Sequence, residues 1–213
     1  MFKLSALSLF IATLTCHVFA ISLKSSGPII RKEIKEQNGR KVEYMYIDGI
    51  KVHETDPEKQ PQPPVVNPKP YNAKAAKPPK GAVVLFDGSP KTLKNWQATN
   101  GGPTKWKLVD GALESVRGGG YLQSKKEFGS CKLHIEFATP SEAKGSGQGR
   151  GNSGVFLMGQ YEIQVLDSYQ NITYPDGQCG ALYGRAKPLV NASRGPGEWQ
   201  TYDVTFHRPL FNE

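Results

Sequence analysis

Cysteine is scarce in this sequence, and its scarcity excludes several kinds of site. Three cysteines are present, and Cys16 lies in an apolar N-terminal run, so two remain for the rest of the chain. No CxxC pair and no Cys/His cluster occurs, which argues against a structural zinc site. An oxidising compartment would allow Cys131 and Cys179 to form one disulfide. The alternative is two small thiols that pack as apolar side chains and never meet.

The sequence also lacks an apolar run of the roughly 20 residues that a membrane-spanning helix needs. Its main apolar run extends from Leu4 to Val18, behind the single charge of Lys3, and is followed by the small residue Ala20. A short apolar run between a positive charge and a small residue is typical of a signal peptide. We therefore expect residues 1–20 to be a signal peptide that is cleaved after Ala20 as the protein is exported.

Acidic residues are outnumbered, and the net charge is +8 at pH 7. Residues 21–80 carry 12 Lys and Arg against 7 Asp and Glu, whereas residues 81–213 carry 14 against 12. The excess charge lies mostly ahead of the main folded region, and no recognition-helix pattern accompanies it. We therefore predict no nucleic-acid partner. A basic segment in an exported protein favours association with an anionic envelope or cell wall.

Proline divides the chain into regions. Eight of the 24 residues in Pro57–Lys80 are proline and five are lysine, which predicts an extended, mobile linker without a core. Residues 21–56 contain Asn38-Gly39 and Asp48-Gly49 between β-prone runs, a pattern typical of a small β-meander. Three short strands are only marginally stable alone. Residues 21–56 are therefore expected to dock on another part of the chain or to form a loose extension.

Helical periodicity is absent from any long stretch, and a period of two replaces it from Gly81 onward. Cys131–Ala138 alternates apolar and polar residues, and Asp110-Gly111 separates two β-prone runs as in a hairpin. Short strands joined by turns predict that residues 81–213 form an all-β domain, a β-sandwich or jelly roll. The side chains expected between its sheets are those of Leu133, Ile135, Phe137, Ile163, Val165, Tyr202 and Val204.

Polar residues with catalytic potential lie between Gly151 and Ser168. Strand alternation places Glu162 and Gln164 on one face, and a β-bulge at Leu166 would bring Asp167 to the same face. Two carboxyl groups about 5 to 5.5 Å apart suit a glycosidase that works by double displacement. The alternative is that all three polar residues are ordinary solvated side chains.

Several longer blocks of sequence resemble one family. They are LFDG at Leu85–Gly88, the isolated Trp96, and the runs WKLVDGAL, GNSGVFLMGQYEIQVLDSY, TYPDGQ, ALYG and GEWQTYDVTFHRP. Together they resemble the 3-keto-disaccharide hydrolase domain family from about Val83 to Pro209. The resemblance implies a concanavalin-like jelly roll that handles sugars on its concave face, in a secreted or periplasmic bacterial protein. Because members of this family usually continue beyond the WQTYDV strand, we expect the jelly roll to be incomplete at its C-terminus.

The resemblance also implies an activity, the cleavage of 3-keto glycosides or disaccharides by elimination and addition of water. This chemistry needs a base, an acid for the leaving oxygen and a group that polarises the ketone. We assign Glu162 as base or nucleophile and Asp167 as its acid/base partner, with Gln164 and Asn152 holding sugar hydroxyls. A divalent metal could polarise the ketone, but the sequence shows no ligand set for one.

The alternative function is a non-catalytic carbohydrate-binding module or envelope protein on the same fold. Trp199, grouped with Tyr202 and Val204 along the last strand, could stack on a sugar or simply pack beneath a loop. His134 and Glu136 share a polar strand face and are candidates to line the sugar cleft. The alternative for this pair is an ordinary surface position.

Overall fold

The computed structural model describes residues 3–4, 9–13, 29–37, 39–47, 49–54, 56, 59–69 and 77–210. Most of the predicted signal peptide, and the proline-free stretch Asn72–Ala76 of the predicted linker, lie outside these residues. The described residues are almost entirely strands and loops, which confirms the predicted all-β class. No helix among them is both long and apolar enough to cross a membrane.

Fourteen strands are present in the described part of the chain. They are β1 Lys3–Leu4, β2 Leu9–Thr13, β3 Ile30–Gln37, β4 Arg40–Ile47, β5 Ile50–Glu54, β6 Val83–Phe86, β7 Trp96–Ala98, β8 Lys107–Val109, β9 Ala112–Glu114, β10 Leu122–Ser124, β11 Cys131–Ala138, β12 Ser153–Leu157, β13 Tyr161–Val165 and β14 Trp199–Phe206. Short 3-10 turns at Pro90–Asn95, Gly147–Gly149 and Pro175–Gly177 interrupt the loops.

These strands belong to two compact units. The first unit comprises Met1–Val18, Lys69–Glu142 and Pro196–Glu213, and the second comprises Phe19–Pro68 and Ala143–Gly195. Each unit is described by itself below. Among the described residues, Cys131 and Cys179 are both free thiols.

A seven-stranded antiparallel sheet forms the body of the first unit, with β11 in its interior. One edge of β11 pairs with β14 along its full length, and the other edge pairs with β2 and β1. Strands β1 and β2 connect β11 to β9 and β6, respectively. Cleavage after Ala20 stays a prediction, and it would remove both of these strands from the sheet.

The buried apolar side chains of the first unit lie mainly on β6, β9 and β11. Leu133 and Ile135 are buried on β11, and Phe137 has no exposed surface. The ring of Tyr202 packs against Phe137 with centroids 4.7 Å apart, and Val204 is half-buried beside Leu133 in the register. Alternation on β11 therefore predicted correctly which face carries the apolar core.

The second unit contains two small antiparallel sheets. Strands β3, β4 and β5 form a meander with Gly39 and Gly49 in its turns, and Tyr44 is buried in it. Strands β12 and β13 form a hairpin, paired in regular register from Leu157 with Tyr161 to Ser153 with Val165. The free edge of β13 is covered by the loop Gly180–Tyr183, because Gln164 N donates to Ala181 O and Tyr183 N donates to Glu162 O, both at 2.9 Å.

Part of the predicted linker is docked on the second unit rather than mobile. Val66 N donates to Asn191 O at 2.9 Å, and Asn191 N donates to Pro64 O at 2.8 Å. Pro63 is buried, and the Lys187 ammonium donates to Pro61 O at 3.1 Å. A proline-rich segment without a core still offers backbone donors and acceptors that a neighbouring loop can pair.

Candidate functional site

The β12–β13 hairpin places the side chain of Glu162 across its partner strand. Glu162 pairs with Phe156 in the register, and Gly154 is its diagonal neighbour on the same face. A Cβ atom added at Gly154 would touch Glu162 Oε1 and lie 2.8 Å from the carboxyl carbon. The absence of a side chain at Gly154 therefore creates the space that the Glu162 carboxyl occupies.

The Glu162 carboxyl is half-buried in this position. Burial raises its pKa above the ordinary value, because a charged carboxylate loses hydration there. A half-buried carboxyl with a raised pKa is suited to take up and release protons.

Two tyrosines lie close to Glu162. The hydroxyl oxygens of Tyr174 and Tyr183 are 2.8 Å apart, and their rings meet edge to face. Burial, assisted by the hydrogen bond to Tyr183 and by the charges of Asp176 and Glu162, holds the pKa of the Tyr174 phenol far above its ordinary value. Tyr174 is therefore neutral throughout the physiological pH range and keeps its hydroxyl proton.

A second carboxyl group, that of Asp176, lies in the short turn Pro175–Gly177. The residue is only 7% exposed, and its buried Oδ1 atom has no hydrogen-bond partner among the described residues. Burial raises the pKa of the Asp176 carboxyl to about 6. An aspartate that exchanges its proton near neutral pH is unusual, and such groups concentrate at functional sites.

The amide of Gln148 connects several of the predicted site residues. Its Oε1 accepts from Gln164 Nε2 at 2.8 Å and from Asn152 Nδ2 at 3.2 Å. Its Nε2 donates to Gly177 O at 2.8 Å. Gln164 has no exposed surface, so its amide can hold Gln148 in place but cannot contact a ligand. Asn152, in contrast, is exposed. The predicted hydroxyl-binding pair is thus divided into a buried amide and an accessible one.

Asp167 is placed differently from the sequence prediction. Strand β13 ends at Val165, so the predicted bulge at Leu166 is absent from the hairpin register. The Arg150 guanidinium donates to Asp167 Oδ2 at 2.7 Å and to Oδ1 at 3.1 Å, and Asp167 is 1% exposed. A buried carboxylate held by two charged hydrogen bonds is a structural ion pair, so the structure does not place Asp167 as a proton-transferring partner of Glu162.

The remaining predicted residues lie in the first unit, on one face of β11 and β14. His134 pairs with Asp203, Glu136 with Thr201 and Ala138 with Trp199 in the antiparallel register. Trp199 therefore lies on the face of His134 and Glu136, opposite to Tyr202 and Val204, which corrects the grouping expected from the sequence. The error was one of parity, since residues three apart on a strand point to opposite faces.

His134 and Glu136 are buried, with 6% and 2% of their surface exposed, so the ordinary surface position considered for them is wrong. His134 Nδ1 lies 2.7 Å from Asp203 Oδ1, and His134 Nε2 lies 3.8 Å from Glu136 Oε1. Glu136 first and Asp203 second raise the pKa of His134, against the opposing effect of burial. His134 and Glu136 are therefore a buried polar pair of the first unit, whereas the side chain of Asp203 is 78% exposed.

The described residues contain no cluster of three or more His, Cys, Asp or Glu side chains that could hold a metal ion. The carboxyls of Glu162 and Asp176 are accompanied by tyrosine hydroxyls and amides, which do not make a typical divalent-cation site. No step of the chemistry below is therefore assigned to a metal.

Comparison with known proteins adds to this geometry. Residues 81–211 match the model of the 3-keto-alpha-glucoside-1,2-lyase-like domain family. The chain belongs to this family. The resemblance inferred from the sequence blocks is confirmed, and Glu162, Asn152, Tyr174 and Asp176 all lie within the matched residues.

A solved structure has the same fold. It is a crystal structure of a candidate glycosyl hydrolase from Parabacteroides distasonis ATCC 8503, with 44% sequence identity and a TM-score of 0.59. The match covers 62% of this chain and 55% of that one, so this chain spans little more than half the length of that protein. No curated protein sequence matches the chain.

Sequence reasoning missed four residues of the site: Gln148, Tyr174, Asp176 and Tyr183. Three of them lie in the TYPDGQ and ALYG blocks that carried the family resemblance, so a signal was present. Strand periodicity could not find them, because all four lie outside the strands, in loops and short 3-10 turns.

Proposed function

We propose that this protein cleaves 3-keto glycosides, with a carbohydrate as its ligand, by elimination across the C1–C2 bond of the sugar. The observation that carries the proposal is the half-buried Glu162 carboxyl lying over Gly154, in a domain of the 3-keto-alpha-glucoside-1,2-lyase-like family. The neighbouring tyrosine pair and Asp176 add groups that hold protons at neutral pH.

The chemistry follows from the ketone at C3, which makes the hydrogen on C2 acidic. The Glu162 carboxylate removes the C2 proton, and the electron pair of the C2–H bond forms a double bond between C1 and C2. The C1–O bond breaks, and the leaving oxygen takes a proton from an acid. Water then adds across the double bond: its hydroxyl bonds to C1, its remaining proton goes back to the acid, and Glu162 returns its proton to C2, so both groups are regenerated and the net reaction is hydrolysis.

Glu162 suits the role of base because its raised pKa makes it a stronger base than an exposed carboxylate. The acid that protonates the leaving oxygen should be a group that can hold a proton near neutral pH, and the second unit contains two such groups. Tyr174 keeps its proton and is hydrogen-bonded to Tyr183, and Asp176 has a pKa of about 6. We assign the protonation of the leaving oxygen and the polarisation of the ketone to this group in place of Asp167.

The proposal is tested with Glu162→Gln, which keeps the size of the side chain and removes its ability to accept the C2 proton. Turnover of a 3-keto disaccharide should be lost while its binding, measured by calorimetry, is nearly unchanged. Glu127→Gln changes an exposed glutamate in the same way and should leave turnover intact. If turnover survives Glu162→Gln, the assignment of Glu162 as the base is wrong. If the wild-type protein binds the disaccharide without turning it over, a non-catalytic carbohydrate-binding module explains the binding.

Export is the second part of the proposal. We propose that the signal peptide is cleaved after Ala20 and that the mature protein is secreted or periplasmic, with the basic segment Pro57–Lys80 favouring contact with an anionic envelope. The composition of the N-terminal run supports this, since it has the charge and length of a signal peptide. Mass spectrometry of the exported protein should show Ile21 as the first residue.

A further inference from the structure

The loop that carries Tyr174 and Asp176 is held at both ends by one side chain from outside the family domain. Gln62 Nε2 donates to Thr173 O at 2.9 Å, and Gln178 Nε2 donates to Gln62 Oε1 at 3.0 Å. A single amide therefore bridges the residue before Tyr174 and the residue after Gly177. The family match begins at residue 81, so Gln62 is not part of the matched domain.

The backbone on either side of Gln62 is fixed in place. Pro61 O accepts from Lys187 Nζ, and Pro64 and Val66 pair with the backbone of Asn191. Proline at positions 61, 63 and 64 restricts the unfolded chain to extended conformations, so docking loses less backbone entropy than it would for other residues. Pro61–Val66 is thus a short, pre-extended segment with anchors before and after Gln62, and we call it the strap.

The loop is also tightly packed from within. A Cβ atom added at Gly177 would touch the Tyr174 ring and lie 2.7 Å from Gln148 Nε2. Thr173 and Gln178, the two residues that Gln62 joins, are 3% and 2% exposed. Because this loop has so little free space, separating its ends would admit water to its interior.

We propose that Gln62 is a positioning residue, which closes the loop Thr173–Gln178 and thereby keeps Tyr174 and Asp176 in place. The strap then supports the site and is not merely a spacer, although it lies outside the family domain. The proposal deepens the proposed function, since the catalytic consequence of losing Gln62 rests on that function. The structural consequence can be measured without any substrate.

The test uses Gln62→Met in the full chain, which keeps the side-chain length and removes both hydrogen bonds. The net free energy of each hydrogen bond corresponds to a few-fold change in the equilibrium between the closed and the open loop. Loss of both bonds should therefore change this equilibrium by about tenfold. Amide exchange at Gly177 and Gln178 should accelerate by about tenfold. Val65→Ala is the matched control, because its side chain is 79% exposed and its backbone pairing survives the change.

A second readout follows the Asp176 carboxyl directly by carbon NMR. Burial raises its pKa, so a loosened loop that admits water should lower the titration midpoint. The other titratable groups around the loop are Tyr174, Tyr183 and Glu162, and Glu162→Gln as the background removes the other carboxyl from the titration. A general loss of stability would change the melting temperature without moving this midpoint in the folded protein.

Gln178→Met removes the bond between the two amides from the loop side. Because both variants break that shared bond, their combined effect on exchange should be smaller than the product of the single effects. Unchanged exchange and an unchanged Asp176 midpoint in Gln62→Met, or independent effects in the double variant, would overturn the role of Gln62. If these readouts change as expected but wild-type protein does not act on 3-keto glycosides, the proposed function fails while the strap stands.

Discussion

Replacing Gly154 by alanine tests the geometry of the site more sharply than replacing a polar residue does. Gly154 does not have a positive φ, so alanine is compatible with its backbone. The new methyl group would contact Glu162, with 2.8 Å to the carboxyl carbon and 2.9 Å to Cγ. Since carbon atoms prefer separations of at least about 3.5 Å, the Glu162 side chain must move by about 1 Å.

The expected result is a large effect on catalysis and a small effect on stability. The displaced atoms are the end of a flexible side chain, so the fold can relax around the new methyl group. Alanine also lowers the conformational entropy of the unfolded chain, which stabilises the folded state by about 0.4–1 kcal/mol relative to glycine. A displacement of about 1 Å in a reacting group can reduce the rate by about 10²-fold, which corresponds to about 2.7 kcal/mol in the activation free energy. We expect kcat to fall by this order for a 3-keto disaccharide.

Gly149→Ala is the control for this prediction. Gly149 lies in the neighbouring loop, has no positive φ, and a Cβ atom there would meet nothing within 4 Å. Steady-state kinetics and thermal melting of the two variants should separate catalysis from stability. If Gly154→Ala turns over substrate at the wild-type rate while Glu162→Gln does not, the position of the carboxyl over Gly154 is not the reactive one.

Two further predictions concern the other carboxyls. The folded state raises the pKa of Asp176 from 3.8 to about 6, so its ionisation opposes folding, and stability should decrease by about 3 kcal/mol as pH rises from about 4 to above 6. Asp176→Asn should remove that decrease, and chemical denaturation at pH 4 and pH 8 measures it; an unchanged pH dependence would contradict the burial argument. Arg150→Ala leaves the 1% exposed Asp167 carboxylate without its cation and should destabilise the protein by about 3–5 kcal/mol, with partial recovery in Arg150→Ala/Asp167→Asn. Equal stability of Arg150→Ala and wild type would show that Asp167 does not depend on this pair.

The sequence predicted the local features of the strands because a strand has a fixed period. Alternation grouped Leu133, Ile135 and Phe137 on one face, and Asp110-Gly111 forms the predicted hairpin turn with φ values of 50° and 74°. The same period, applied with the correct parity, would also have placed Trp199 beside His134 and Glu136. The resemblance to a family also predicted the extent of the matched domain, because the sequence blocks that carry the resemblance are long and specific.

The surroundings of each polar side chain could not be predicted in this way. Alternation gave Glu162 and Gln164 one face, but it could not show that Gln148 covers Gln164 while Gly154 leaves room for Glu162. Asp167 could not be paired with Glu162 from the sequence, because its carboxylate is bound by Arg150, which lies 17 positions earlier in the chain. Composition likewise could not show that Pro61–Val66 contacts the loop Thr173–Gln178.

By itself the sequence determined the all-β class, the strand faces and the family, because these follow from short-range periodicity and from blocks of adjacent residues. Only the tertiary structure decided which polar groups become proton-holding groups. Burial raises the pKa of Glu162, which lies over a glycine of the neighbouring strand, and that of Asp176, which lies in a closed loop. Asp167 instead forms an ion pair with a guanidinium that is distant in the chain. Such partners meet only when the chain has folded.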